Sequence, residues 1–282
     1  MIKLERILCP IDLTPESVEA LPYAIALAQK YGADLVVCHF PGTVTPTEAA
    51  TIQTRMTELV ALRRAGSEVQ VTVVLASGSD AAAAITREAA EQQADLIVMQ
   101  SRRRSLAAAL LGSVAETVCR FAPCAVLVTH PQEQGSEEAA KMELQRILVA
   151  YDFSDCARWA LAWGLALAQK YQAELHLLHI VLPDTYLDLE YDPELLSIGK
   201  RVMMDIERNL KNELPADVSL VCQVKTEVRR GKPAPEILAY ADQQQVDLIC
   251  LGTHDDSKAR GLFGSNADLI LRQAFCPTLI AQ

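Results

Sequence analysis

Short apolar runs alternate along the chain with longer stretches in which apolar positions recur every third or fourth residue. In the first half the short runs cover 6–11, 34–40, 69–75, 95–99 and 124–129, and the longer stretches 15–31, 46–65, 80–93 and 113–121. The short runs are apolar throughout rather than alternating, the pattern of strands covered on both faces. Thr14-Pro15 reads as an N-cap followed by proline at the first helical position, and Asp192-Pro193 repeats the device. From Leu195, the residues Ile198, Val202, Ile206 and Leu210 step by three or four, which predicts an amphipathic helix. Strands and helices joined by short loops predict an α/β fold with a parallel, doubly wound sheet and right-handed crossovers.

The second half repeats the first. "RILCPIDLTPES" (6–17) returns as "RILVAYDFSDCA" (146–157), and "ALAQKY" occurs at 26–31 and 166–171, both 140 residues on. "DLIVMQ" (95–100) matches "DLICLG" (247–252), and "LLGSVAETV" (110–118) matches "LFGSNADLI" (262–270), now 152 apart. Four matches in order, with one growth in offset, define two copies of one domain. The extra residues enter between about 181 and 215. We divide the chain into domain 1 (1–131), a polar linker (132–145) and domain 2 (146–282), each domain carrying five strands.

Composition narrows the function classes. Of 282 residues 50% are apolar, enough for a sizeable core, and the net charge is −10. Residues 1–131 hold 11 Lys/Arg against 13 Asp/Glu, and residues 132–282 hold 15 against 23, so neither half has the basic excess that nucleic acid binding requires. No run is apolar for the ~18 residues of a membrane span, and "MIKLERILCPID" lacks the features of a signal peptide. A cytoplasmic location is therefore expected, with neither nucleic acid nor membrane as partner. The eight cysteines show no C-x-x-C spacing. Cys9, Cys38, Cys222, Cys250 and Cys276 fall in or beside apolar runs, as small buried hydrophobes in a reducing compartment do. No metal site is expected.

Open parallel sheets bind ligands beyond the carboxyl ends of their strands. Three segments of each copy converge there in this reading. In domain 2 they are Ala150-Tyr151-Asp152, His179-Ile180 and the loop "GTHDDSKARGLFGSN" (252–266). In domain 1 they are Pro10-Ile11-Asp12, His39-Phe40 and the stretch from Gln100 to Ser113. A helix N-terminus offers unpaired N–H groups to phosphate, Gly264 lets the backbone come close, Ser265 adds a hydroxyl, and a strand-end carboxylate accepts from a base or ribose. The same pieces also have a plain structural reading: Ser113 with Glu116, and Ser265 with Asp268, have the spacing of capping boxes.

These motifs, twice and in order, resemble the universal stress protein family. The likeness rests on "ILVAYDFS" (147–154), "LLHI" (177–180), "GKPAPEI" (231–237), "DLICLGTH" (247–254) and "GSNADLILRQAFCPTLIA" (264–281), the last echoed by "GSVAETVCRFAPCAVLVT" (112–129). The resemblance implies two tandem Rossmann-like domains of the adenine nucleotide alpha hydrolase-like type, each a five-stranded parallel sheet in the order 3-2-1-4-5. It implies pairing of the two copies through their last strands as an intramolecular pseudo-dimer, leaving a homodimer or protein partners open. It also implies an adenine nucleotide (AMP, ADP or ATP, with or without Mg²⁺) held in domain 2 by Ala150, Tyr151, Asp152, Ile180, Gly252, His254, Gly264, Ser265 and Asn266. The corresponding domain 1 set is Pro10, Asp12, Phe40, Arg102, Arg103, Gly112, Ser113 and Val114.

Both copies depart from the family's G-x2-G-x9-G-[ST] pattern. Domain 2 keeps Gly252, Gly264 and Ser265 but has Asp255 at the second glycine. A like charge ~5 Å from a phosphate costs about 3 kcal/mol at an effective dielectric of ~20, which favours AMP or ADP over ATP unless a divalent cation bridges Asp255 or Asp256 to phosphate. Tyr151, where a small residue is usual, either stacks on adenine or fills the pocket. Domain 1 keeps only Gly112-Ser113, and Arg102, Arg103 and Arg104 either clamp phosphate or form a solvated basic loop. Domain 1 is expected to be the emptier copy.

No H-E-x-x-H, G-x-S-x-G or P-loop lysine is present, so no catalytic residue is assigned. His254 reads as a phosphate contact or as an exposed loop residue. His39 and His179 close strand 2 of each copy and share a packing or capping role, while Trp159 and Trp163 are expected on one buried helix face. Three functions remain: a nucleotide-binding stress regulator, a tandem scaffold without nucleotide, and a slow ATP hydrolase.

Overall fold

The structure, a computed structural model, describes residues 2–64, 66–76, 78, 80–101, 113–130, 142–182, 193–220, 222–253 and 264–282, and for 193–198 the backbone alone. Domain 1 contains β1 (Arg6–Pro10), α1 (Pro15–Val18), α2 (Ala20–Tyr31), β2 (Asp34–His39), α3 (Pro46–Arg63), β3 (Val71–Leu75), α4 (Ala81–Glu91), β4 (Leu96–Gln100), α5 (Ser113–Phe121) and β5 (Ala125–Thr129). Domain 2 contains β6 (Arg146–Ala150), α6 (Asp155–Tyr171), β7 (Glu174–Val181), α7 (Pro193–Asn212), β8 (Val224–Arg230), α8 (Pro233–Gln243), β9 (Leu248–Gly252), α9 (Ser265–Gln273) and β10 (Thr278–Ala281).

The strands form one ten-stranded sheet in the order β3-β2-β1-β4-β5-β10-β9-β6-β7-β8, so each domain has the expected 3-2-1-4-5 order. Every pairing within a domain is parallel, and β5 meets β10 antiparallel. Leu127 faces Leu279, with Val126 opposite Ile280 and Val128 opposite Thr278. Leu127 and Leu279 are repeat equivalents, so the pairing lies on a local two-fold axis. Two apolar layers cover the sheet, one under α2, α3, α6 and α7, the other under α4, α5, α8 and α9.

Repeated sequence is used twice at this axis. The Lys-Tyr pair ending each "ALAQKY" crosses to the other copy: Lys30 lies 5.0 Å from the Tyr171 ring centre, and Lys170 lies 5.2 Å from that of Tyr31. Burial pushes the Tyr31 hydroxyl up to about 12. On the opposite layer Arg272 binds Asp268 on its own helix at 2.8 Å and reaches Glu116 of α5 at 3.6 Å, while Arg120 holds Glu116 at 2.7 Å. The Ser265–Asp268 capping box expected from spacing is therefore not formed: Ser265 is the first helical residue behind Gly264, and the Asp268 carboxylate turns to Arg272. Glu116 likewise pairs with Arg120 on its own helix.

Thr14 caps α1 as expected, accepting from the Ser17 amide at 3.3 Å with Pro15 at the first position. Asp192 lies outside the described residues, and α7 begins at Pro193. Along α7, Val202 and Ile206 are partly covered and Leu210 is fully buried. Trp163 is buried but Trp159 is 54% exposed, against the expected shared face. The buried stripe of α6 runs through Ala157, Ala160, Leu161, Gly164, Leu167 and Ala168; Trp163 lies about 100° from Gly164 around the helix, and Trp159 about 40° further out. Met142 and Leu144 are buried, as Leu4 is in domain 1, so the end of the expected linker belongs to the core. Its residues 132–141 lie outside the described set.

Cys9, Cys38, Cys119, Cys250 and Cys276 are buried free thiols, and burial pushes each of the first four above the ordinary cysteine range. Cys222 is only partly buried. Among the described residues no helix is long and apolar enough to cross a membrane.

His176 on β7 stands where domain 1 has Val36. It is 2% exposed, with Nδ1 2.8 Å from the Tyr240 hydroxyl. Burial holds it below the usual histidine range, partly opposed by Glu174 at 3.4 Å. The unfolded chain thus binds a proton that the native state sheds. The stability His176 contributes is complete above about pH 6.5 and is lost as pH falls from there through the lowered folded value. Urea titrations between about pH 7 and 5 are expected to show stability falling, by at most about 1.4 kcal/mol per pH unit from this residue, and His176→Val is expected to flatten that slope.

Candidate functional site

The two copies build the same corner where strand 1 gives way to its helix. The backbone swings through a left-handed residue, Leu13 (φ 64°) in domain 1 and Phe153 (φ 67°) in domain 2. A bulky side chain in that region costs of order 1–3 kcal/mol and persists only where neighbours fix it. Here the preceding aspartate does so. Asp12 Oδ1 accepts from the Thr14 amide at 3.0 Å and from the Thr14 hydroxyl at 2.5 Å, and Asp152 Oδ1 accepts from the Ser154 amide at 3.0 Å. The histidine ending strand 2 completes the corner. His39 Nδ1 donates to the Ile11 carbonyl at 2.8 Å and His179 Nδ1 to the Tyr151 carbonyl at 2.7 Å, which fixes the tautomer in each copy. Their recurrence in the sequence reflects this capping role.

In domain 2 the corner opens on a cavity of 450 Å³ at the carboxyl ends of β6, β7 and β9. Eight of the nine sequence-selected residues line it: Ala150, Tyr151, Asp152, Ile180, Gly252, Gly264, Ser265 and Asn266. The ninth, His254, lies outside the described residues, as do Asp255 and Asp256. The remaining wall comes from α8 and the layer beneath it, through Pro233, Ile237, Leu251 and Ile270, with His179 and Leu182 at the side. Of these the sequence reading named only His179 as part of the converging segments, although "GKPAPEI" marked the start of α8. The first turn of α9 meets the cavity, and no side chain caps it. With Asp268 held by Arg272, no first-turn carboxylate competes for those amides.

Two assignments change in role. Tyr151 neither fills the cavity nor presents its ring there for stacking. The ring packs in the layer under α6 and α7, 5.3 Å from Phe153, and the hydroxyl donates to Glu213 Oε2 at 2.5 Å. Burial, reinforced by Glu213, raises its hydroxyl above the tyrosine range. Gly252 is required by packing: a β-carbon there would lie 2.5 Å from the Cys156 carbonyl carbon and 2.7 Å from the Ala157 amide nitrogen. That contact lets α6 run unbroken from Asp155 to Tyr171.

Domain 1 has Gln100 at this place. Its side-chain Nε2 donates to Glu19 Oε2 at 3.0 Å. The helix is broken there into α1 and α2 at Glu19, so the single helix expected over 15–31 is two. A cavity of 320 Å³ persists, lined by Pro10, Asp12, Phe40, Ser113 and Val114 of the sequence-selected set together with Glu16, His39, Ile85, Met99 and Gln100. Arg102, Arg103, Arg104 and Gly112 lie outside the described residues. Among the described residues no cluster of His, Cys, Asp or Glu has the geometry of a metal site.

Two doubly wound domains joined edge to edge, each with a hollow above its strand-1 corner, define a tandem α/β protein. The universal stress protein family profile matches residues 3–130 and again 143–282. The chain is 30% identical over 145 residues to universal stress protein YxiE of Bacillus subtilis, covering 49% of this chain and 98% of that protein. It is 31% identical over 140 residues to a universal stress protein of Thermus aquaticus, covering 48% and 97%. A universal stress protein from Archaeoglobus fulgidus superposes over 98% of both chains with a TM-score of 0.74 at 21% identity, a likeness of fold. The chain belongs to the universal stress protein family, with two domains in tandem, and the family supports a stress-response role.

The Gly252 contact gives a direct test. Gly252→Ala is expected to lower unfolding stability by about 1–3 kcal/mol, because the methyl group meets backbone that must shift. Gly199→Ala in α7, where a β-carbon meets nothing within 4 Å, is expected to leave stability unchanged or raise it by up to about 1 kcal/mol. Chemical denaturation of both variants checks the contrast.

Proposed function

We propose that this protein is a stress-response regulator whose domain 2 binds an adenine nucleotide. One observation carries the reading: Asp152, Ile180 and the uncapped first turn of α9 line a single 450 Å³ cavity beyond the carboxyl ends of parallel strands. The volume lies within the roughly 300–1,000 Å³ of small-molecule sites. In this reading the α9 amides and Ser265 receive phosphate, and the wall beside Asp152 and Ile180 receives base and ribose. Asp255 disfavours a long phosphate chain, so AMP or ADP is the expected ligand. With Mg²⁺ bridging a carboxylate and phosphate, ATP enters the same site. The altered glycine pattern, with Asp255 at the second glycine, argues for a sensor over a hydrolase.

The purified protein, denatured and chromatographed, is expected to release about one adenine nucleotide per chain, as one site of nanomolar to micromolar affinity retains its ligand through purification. Gly264→Val, which places a branched side chain at the α9 N-terminus, is expected to abolish that release, and Gly112→Val to leave it unchanged. Equal losses in both variants would assign nucleotide to both domains. No release, with no thermal shift on adding nucleotide and Mg²⁺, would instead favour a tandem scaffold.

A further inference from the structure

Domain 1 keeps its cavity, yet its wall departs from that of domain 2 in a consistent direction. Phe40 and Met99 stand for Ile180 and Leu251, and Val114 replaces Asn266 in the first helical turn. The wall is thus bulkier and less polar where domain 2 offers polar contacts. Glu16 takes the place of Cys156 and brings a carboxylate to the rim. Gln100, 9% exposed, has a buried Oε1 with no hydrogen-bond partner, while its Nε2 is engaged by Glu19. No lysine or arginine is among the described lining residues.

We propose that the domain 1 cavity is a second ligand site of different chemistry, taking a small aromatic amine without phosphate. The ring lies against Phe40, Ile85 and Met99, and the ammonium is received by Glu16. A cavity of 320 Å³ admits one or two fused rings with a short side chain. The inference is independent of nucleotide binding in domain 2. Arg102, Arg103 and Arg104 lie outside the described residues, and probes of opposite charge read their influence directly.

Isothermal titration of the full chain with tryptamine is expected to show one site per chain. Indole-3-acetate, with the same ring and the opposite charge, is expected to bind at least about tenfold more weakly. Glu16→Gln is expected to weaken tryptamine by about tenfold, as loss of one charge-assisted hydrogen bond does. Val114→Trp, which fills the cavity, is expected to abolish binding, and Gly264→Val to leave it intact. Glu16→Gln alters an exposed residue and carries the test should Val114→Trp fail to fold. Equal or tighter binding of indole-3-acetate, no heat with tryptamine at millimolar concentration, or loss of tryptamine binding in Gly264→Val would overturn the proposal. Release of AMP from domain 2, or its absence, bears on the domain 2 reading alone.

Discussion

The antiparallel pairing of β5 with β10 is the constraint on which the rest of the structure depends. Each domain alone would end in an exposed parallel edge, and exposed edges invite pairing with other chains. Setting Leu127 against its own repeat equivalent, Leu279, joins the two edges and fixes a two-fold axis through the molecule. Everything near that axis then meets its counterpart. The Lys30–Tyr171 and Lys170–Tyr31 exchange forms on one layer and the Glu116, Arg120, Asp268 and Arg272 group on the other. The partly exposed ion pairs contribute little energy, since exposed pairs are worth about 0–1 kcal/mol. The strand pairing and the apolar layers beneath it hold the domains together, and the charged groups fix their register.

The same pairing leaves each hollow above its own strand-1 corner. The corner itself scarcely varies. Leu13 and Phe153 share a left-handed backbone, Asp12 and Asp152 share an Asx contact, and His39 and His179 share a bond to the preceding carbonyl. The strand-1 aspartate is thus first a structural residue that holds a strained turn. Its presence in a sequence argues for the corner before it argues for a ligand.

Much of this was legible in the sequence because apolar periodicity and repetition report burial directly. The repeat offset and the convergence of Asp152, Ile180 and Ser265 followed from pattern, while the strand order followed from the family resemblance. What was not legible depended on where a side chain turns once the backbone is set. Tyr151 occupies a site-forming position, but the pleat sends its ring to the opposite layer, where Glu213 of the inserted segment supplies a partner that no local pattern encodes. Ser265 and Asp268 have capping spacing, yet Arg272 one turn later competes for the carboxylate and wins through a charge-assisted pair. Trp159 misses the buried face of α6 by about 40° of helix rotation.

The contrast between Gly252 and Gln100 shows how one position couples fold to chemistry. Glycine at the end of β9 lets the first turn of α6 touch the strand backbone, so the helix is continuous and Cys156 and Ala157 lie against the sheet. Glutamine at the end of β4 needs room, which a break at Glu19 provides, and that same glutamate then receives its amide. The substitution alters helix path, wall polarity and local charge together, because all three share the gap between strand end and helix start. A glycine read as part of a phosphate loop is therefore better understood as the residue that decides how near the helix comes. Whatever each hollow holds, its shape is set at that gap before any ligand is considered.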